Sequence, residues 1–303
     1  MRAIASLAMR SPTAASINAA AYAVFALFFA PFMIVSGAIV GLATLRGGFG
    51  KGMTVAVAAA VVAGLAYYVL LKQPAAAFFV GMTWLPTMFV AQSLRSTENQ
   101  GIALSLCAVF GALYAVTARM LIPDVEAHWM AQLLDLAETV KNQGGTFFGA
   151  EEMTVIAGIM HEATIVVTCL YWMTALLLAR WWQAELYNPG GFGSEFRTMV
   201  IPRVVSPIAA VVAALALLQM FSGNPSGLPS DLLVVLVVLF AFQGLALLHH
   251  RVNKLSLARG WLIGLYVLLV LMPHRVGLLL AFAGIADTIL DVRQLRRRQR
   301  PKN

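Results

Sequence analysis

Long apolar runs separated by short polar breaks organise the chain from residue 17 to residue 292. A bilayer core about 30 Å thick needs about 20 helical residues, so a run of that order reads as a membrane span. Runs at 53–71, 75–94, 102–120, 153–179, 204–221 and 231–248 qualify. The first run, 17–45, is long for one span and short for two, with Pro31 at its middle. Proline removes a backbone donor and clashes with the preceding turn, so a kinked long helix and a broken, hairpin-like pair both fit. Pro273-His274-Arg275 splits the last run into 256–272 and 276–292, each about 25 Å long at 1.5 Å per residue, enough for a thin or untilted crossing.

Between 123 and 152 the pattern changes. Val125, Trp129, Leu133, Leu136 and Val140 recur at helical spacing, while Asp124, Glu126, His128, Asp135 and Glu138 take the other faces. This predicts an amphipathic outer segment on the membrane surface or capping the bundle, broken by Gly144-Gly145. The fold expected from the whole pattern is all-α: one integral membrane domain over 1–303, a polytopic transmembrane helical bundle of about 8 to 10 apolar segments with one amphipathic surface helix.

Composition agrees with the pattern. Hydrophobic residues make up 60% of the chain and charged residues 11%, with a mean hydropathy of +0.82, where a soluble domain runs near a quarter charged. The net charge of +8 comes from short basic clusters between apolar runs, which fits membrane topology and not nucleic-acid binding. Counting the first run as a pair, 17 of the 21 Lys and Arg fall on one side, leaving Lys72, Arg119, Lys141 and Arg275 on the other. That side is the cytoplasm by the positive-inside rule. A membrane protein with a cytoplasmic C-terminus and a basic tail over 293–303 is expected. If the first run is a single span, the split weakens to 15 against 6. The segment from Asp124 to Glu152 carries six carboxylates against Lys141, which suits the outer side. The first apolar run is too long for the core of a cleaved signal, so it is expected to remain as membrane structure.

The candidate chemistry lies in polar groups within apolar sequence. His161-Glu162 is an ionisable pair inside the 153–179 run, and such a pair is costly unless it faces a bundle interior or a wet cavity. Glu151, Val155, Gly158 and Glu162 share one helical face, a stripe descending from the outer surface. Either a functional pocket or a satisfied interhelical hydrogen bond accounts for it. Gln243 sits in another apolar run, and Asp287 and Asp291 lie one turn apart beside Arg293, where an aspartate either serves a site or pairs with the arginine. The substrate-binding candidates are therefore Glu162, His161, Gln243 and Asp287. Ile165 occupies the place of the second histidine of HExxH, and the glycine-rich 46–52 stretch lacks P-loop spacing, so no metal or cofactor is expected. Cys107 and Cys169 read as packing residues, His249 and His250 as interfacial, and Trp181, Trp182 and Tyr187 as an aromatic belt ahead of a polar loop, 188–203. The Gly37/Gly41 and Gly260/Gly264 pairs offer close helix approach.

Three stretches carry a resemblance. Leu45-Arg46-Gly47-Gly48, Phe242-Gln243-Gly244-Leu245-Ala246 and Gly284-Ile-Ala-Asp287-Thr-Ile-Leu-Asp291-Val-Arg293 resemble the YybS-like family of bacterial membrane proteins of unknown function. That family is distantly similar to the S components of energy-coupling-factor vitamin transporters and to the rod-shape protein MreD. The resemblance implies a small helical bundle in the plasma membrane with a pocket opening outward, and it supplies no catalytic residues. More than six apolar segments set this chain apart from the S components. Two functions follow as expectations: a small-molecule-binding or transport component, or a structural partner of an envelope or cell-shape assembly. No nucleophile, metal or acid–base set marks it as an enzyme. Membrane lipids, a small-molecule ligand and a membrane protein are the partners these expectations call for, and nucleic acid is not.

Overall fold

Within a bilayer every backbone polar group must be satisfied inside its own segment, so apolar runs are helical. The computed structural model describes residues 2–73, 76–223, 226–258 and 260–293, and these form thirteen α-helices with no strand among them. In chain order they are α1 (Arg2–Ala8), α2 (Pro12–Phe25), α3 (Phe32–Gly47), α4 (Phe49–Leu71), α5 (Ala76–Thr97), α6 (Gln100–Leu121), α7 (Val125–Asn142), α8 (Ala150–Tyr187), α9 (Gly191–Thr198), α10 (Val205–Phe221), α11 (Leu228–Lys254), α12 (Gly260–Leu271) and α13 (Pro273–Leu290). Side-chain caps set several starts. Ser11 Oγ accepts from Ala14 N–H at 3.1 Å, Asn99 Oδ1 from Ile102 N–H at 3.1 Å and Asp124 Oδ1 from Ala127 N–H at 2.9 Å.

The first apolar run is a broken pair. Around Pro31 the chain turns between α2 and α3, which pack on each other, and Ser36 Oγ donates to the Ala19 carbonyl at 2.7 Å. Every residue of α3 from Ser36 to Leu45 is buried, because α2, α4, α5 and α8 surround it. A helix apolar all round and enclosed by protein is a core element. At sixteen residues it is about 24 Å long, short of a straight crossing. Gly48, at φ +81°, is the single residue between α3 and α4.

Among the described residues five helices, α4, α6, α8, α11 and α13, are long and apolar enough to cross a membrane by length and composition; α3, α10 and α12 are apolar but shorter. The expected number of about 8 to 10 apolar segments is therefore not matched by as many helices of crossing length. α8 differs most from expectation. Its 38 residues extend about 57 Å, well beyond the 153–179 run. Its first turns hold the amphipathic α7 through Leu133, Met153 and Ala157, a small cluster apart from the main core. The break expected at Gly144 is present, with φ +79°.

The two ends of the bundle differ in chemistry. At the basic end, Arg95 Nη1 donates to the carbonyls of Leu45 (2.6 Å) and Arg46 (2.8 Å), Phe49 N–H donates to Gln92 Oε1 (3.0 Å), and Glu195 accepts from Arg180 Nε (2.9 Å) and Gln100 Nε2 (3.2 Å). These bonds gather the ends of α3, α5 and α8 and the starts of α4 and α6 around α9. That short helix lies within the stretch expected to be a polar loop, 188–203. Trp182 is wholly buried and so is no part of an interfacial belt; Tyr187 is exposed, with the Arg46 guanidinium 3.7 Å above its ring. At the opposite, acidic end lie α7, the start of α8, the end of α6 and the start of α11. Residues 294–303, most of the basic tail, fall outside the described residues.

α11 and α13 run parallel and cross at glycine. A Cβ on Gly244 would come within 1.9 Å of the Leu280 carbonyl oxygen, and one on Gly284 within 2.1 Å of the Phe240 carbonyl oxygen. Only residues without a side chain allow backbones this close.

Candidate functional site

The acidic end holds a buried ionic cluster drawn from three helices. Arg119, in the last turn of α6, clamps Asp231, in the first turn of α11, through Nε to Oδ2 (2.6 Å) and Nη2 to Oδ1 (3.0 Å). Both helix ends favour the charge they carry, since a helix N-terminus attracts an anion and a C-terminus a cation. His161 comes in from α8, with Nε2 3.3 Å from Asp231 Oδ2. The Tyr114 ring stacks on its imidazole at 6.4 Å and 26°. The Asp231 side chain is fully enclosed, that of His161 is 6% exposed and that of Arg119 25%. Among the described residues His161 Nε2 has no hydrogen-bond partner, because the 3.3 Å approach to the carboxylate lacks hydrogen-bond geometry.

Which energy keeps these charges here? Two unit charges 4 Å apart at an effective dielectric of 20 attract by about 4 kcal/mol. Removing a carboxylate and a guanidinium from water costs several kcal/mol per ion, so a buried pair adds little net stability. Ionisable groups retained at that balance in apolar helices point to function.

The four candidates from the sequence divide into two places. Met153, Ala157, His161, Ile165, Cys169 and Trp172 form the buried stripe of α8, so His161 faces the interior. Glu151, Val155 and Gly158 lie on the exposed side, and the stripe expected to descend through them faces outward. Glu162 is half-buried and close enough to Arg119 and Asp231 to interact electrostatically. Gln243 lies twelve residues beyond Asp231 on α11, about 18 Å along the axis, and belongs to a different cluster at the basic end.

There Gln243 bridges α11 to its neighbours. Its Oε1 accepts from Ile201 N–H at 3.0 Å, and its Nε2 donates to Asp287 Oδ2. Arg293 donates to the same oxygen through Nε at 2.9 Å, and its Nη1 to the Arg197 carbonyl at 2.8 Å. Asp287, Gln243 and Arg293 are all buried, and Asp287 Oδ1 is enclosed without a hydrogen-bond partner among the described residues. This is the arginine pairing that the sequence offered as one reading of Asp287. Asp291 ends α13 with an αL backbone (φ +49°).

Sequence reasoning missed Arg119 and Asp231, assigning one to the outer charges and the other to the start of a span. A weaker form of the signal that singled out His161 was present, because each is an ionisable group at the end of an apolar run. Among the described residues no group of three His, Cys, Asp or Glu could hold a metal ion. Cys107 and Cys169 are free and buried. Compared with protein-family models, curated proteins and solved structures, the chain matches none of them.

Proposed function

We propose that this chain is a multi-pass protein of a bacterial plasma membrane, with its C-terminus in the cytoplasm. It serves there as a small-molecule-binding or transport component centred on Arg119, Asp231 and His161. The observation that carries this reading is the fully enclosed Asp231 carboxylate, held by one arginine with an unsatisfied imidazole nitrogen beside it. Such a cluster has the means to bind a small polar solute or to exchange a proton with it: the arginine is partly accessible, and the histidine can accept or donate. The uneven distribution of Lys and Arg supports the orientation, since the end containing Arg46, Arg95, Arg180 and Arg293 is the cytoplasmic one by the positive-inside rule. The cluster then lies toward the outside. A site opening outward is also what the YybS-like resemblance implies, and we keep that family likeness as part of the proposal. We read the protein as a binder or carrier and not as an enzyme.

A second reading, a structural partner of an envelope or cell-shape assembly in the manner of MreD, has one feature in its favour. The arm formed by α7, its connection to α8 and the start of α8 exposes Leu134, Leu136 and Phe148. Native mass spectrometry of gently extracted protein separates the readings. A small molecule retained by the wild type and lost from Asp231→Asn supports the carrier. Identical bare masses together with a co-purifying membrane complex support the scaffold.

A further inference from the structure

An apolar groove of about 650 Å³ separates α12 from the end of α11. Leu248 and Val252 form one wall, Trp261, Leu265 and Leu268 the other, and among the described residues Arg251 is the only charged one that lines it. None of the described residues of α12 is buried, and a Cβ added at Gly260 or Gly264 would meet nothing within 4 Å. His249 Nε2 and Tyr266 Oη, 2.9 Å apart, tie α12 to α11 beside this gap.

The geometry points to an anionic phospholipid as the occupant, with an acyl chain between α11 and α12 and its phosphate at Arg251. An apolar cavity of this size does not hold ordered water, which needs two to four polar partners. Hydrocarbon already surrounds such a helix, so an acyl chain is the filling at hand, and lipid tails are as apolar as the leucines they would touch. The sign of the headgroup follows from charge. Among the described residues Arg251 donates to the Val292 carbonyl at 3.3 Å and forms no salt bridge, and Lys254 lies one turn further along the same helix. An unneutralised cation at the membrane edge of an apolar groove selects an amphiphile with a negative head over a zwitterionic one.

The test uses delipidated full-length protein offered equal amounts of phosphatidylglycerol and phosphatidylcholine with the same chains, read by native mass spectrometry. The wild type is expected to retain phosphatidylglycerol preferentially. Arg251→Gln should lower that preference about fivefold, the worth of one basic residue at an anionic headgroup. Gly264→Leu, whose side chain enters open space, should reduce retention of both lipids while the circular dichroism spectrum and melting temperature stay those of the wild type. Equal retention of the two lipids by the wild type would overturn the proposal. So would a wild-type dimer that Gly264→Leu converts to monomer with lipid retention unchanged, since the groove would then be a helix-docking face. Neither substitution touches Arg119, Asp231 or His161, so the outcome is independent of the solute site.

Discussion

Replacing Asp287 by alanine is expected to damage the basic end of the bundle more than any other single truncation there. The change leaves the Arg293 guanidinium, whose side chain is fully enclosed, without its carboxylate, and breaking a buried pair by removing one partner costs about 3–5 kcal/mol. It also removes the acceptor of Gln243 Nε2, for about 1–3 kcal/mol more. Allowing for overlap, the loss is roughly 4–6 kcal/mol, a fall in melting temperature of roughly 10 °C or more in mild detergent. The protein provides its own reporter. Cys107 and Cys169 are free and buried, so a fluorogenic thiol dye reacts only as the bundle opens. The double substitution Asp287→Leu with Arg293→Met removes both charges and should recover about 2–3 kcal/mol relative to the sum of the single changes. A melting temperature for Asp287→Ala within about 2 °C of the wild type would refute this reasoning, as would a double variant that melts as low as the summed single effects require.

Gly244→Ala and Gly284→Ala should each cost about 1–3 kcal/mol, since the new methyl meets a backbone carbonyl. Gly264→Ala, facing open space, should be neutral or gain up to about 1 kcal/mol; thiol-dye melting curves rank all three. Orientation is tested with single introduced cysteines in intact cells: Glu138→Cys should react with an impermeant maleimide, and Ser194→Cys only after permeabilisation. The reverse pattern would invert every span. Glu162→Leu removes a half-buried carboxylate for which burial outweighs the attraction of Arg119, so the variant should melt at or above the wild-type temperature and lose function in complementation. Full complementation would remove Glu162 from the site.

Features set by local sequence were legible in the chain. Apolar run length gave the helices α4, α6 and α10 to within a few residues, and three- and four-residue spacing with a glycine break gave α7; α11 runs six residues past the expected end at Leu248, to Lys254. Intramembrane cost singled out His161 and Gln243. Features set by long-range pairing were not. Arg119 and Asp231 are 112 positions apart, and nothing in either neighbourhood says that the end of α6 meets the start of α11. Gln243 and Asp287 were picked separately, but they meet because Gly244 and Gly284 let two parallel helices cross closely, which one helix pattern alone does not reveal. The stripe through Glu162 followed correct helical geometry, yet the helix is rotated so that the face containing His161 turns inward. α9 escaped notice because eight residues rich in glycine and polar side chains carry little periodic signal.

Exchanging the two charges tests the central claim, that the cluster at the acidic end serves function and not merely cohesion. The double variant Arg119→Asp with Asp231→Arg keeps an ion pair between α6 and α11 but sets each charge against its helix end, for about 0.3–1 kcal/mol apiece, and turns an arginine toward His161. Insertion and melting close to the wild type, with complementation of a deletion strain abolished, is the expected result. Complementation restored to the wild-type level would contradict the account, because the pair would then be a structural clasp indifferent to which helix carries the carboxylate.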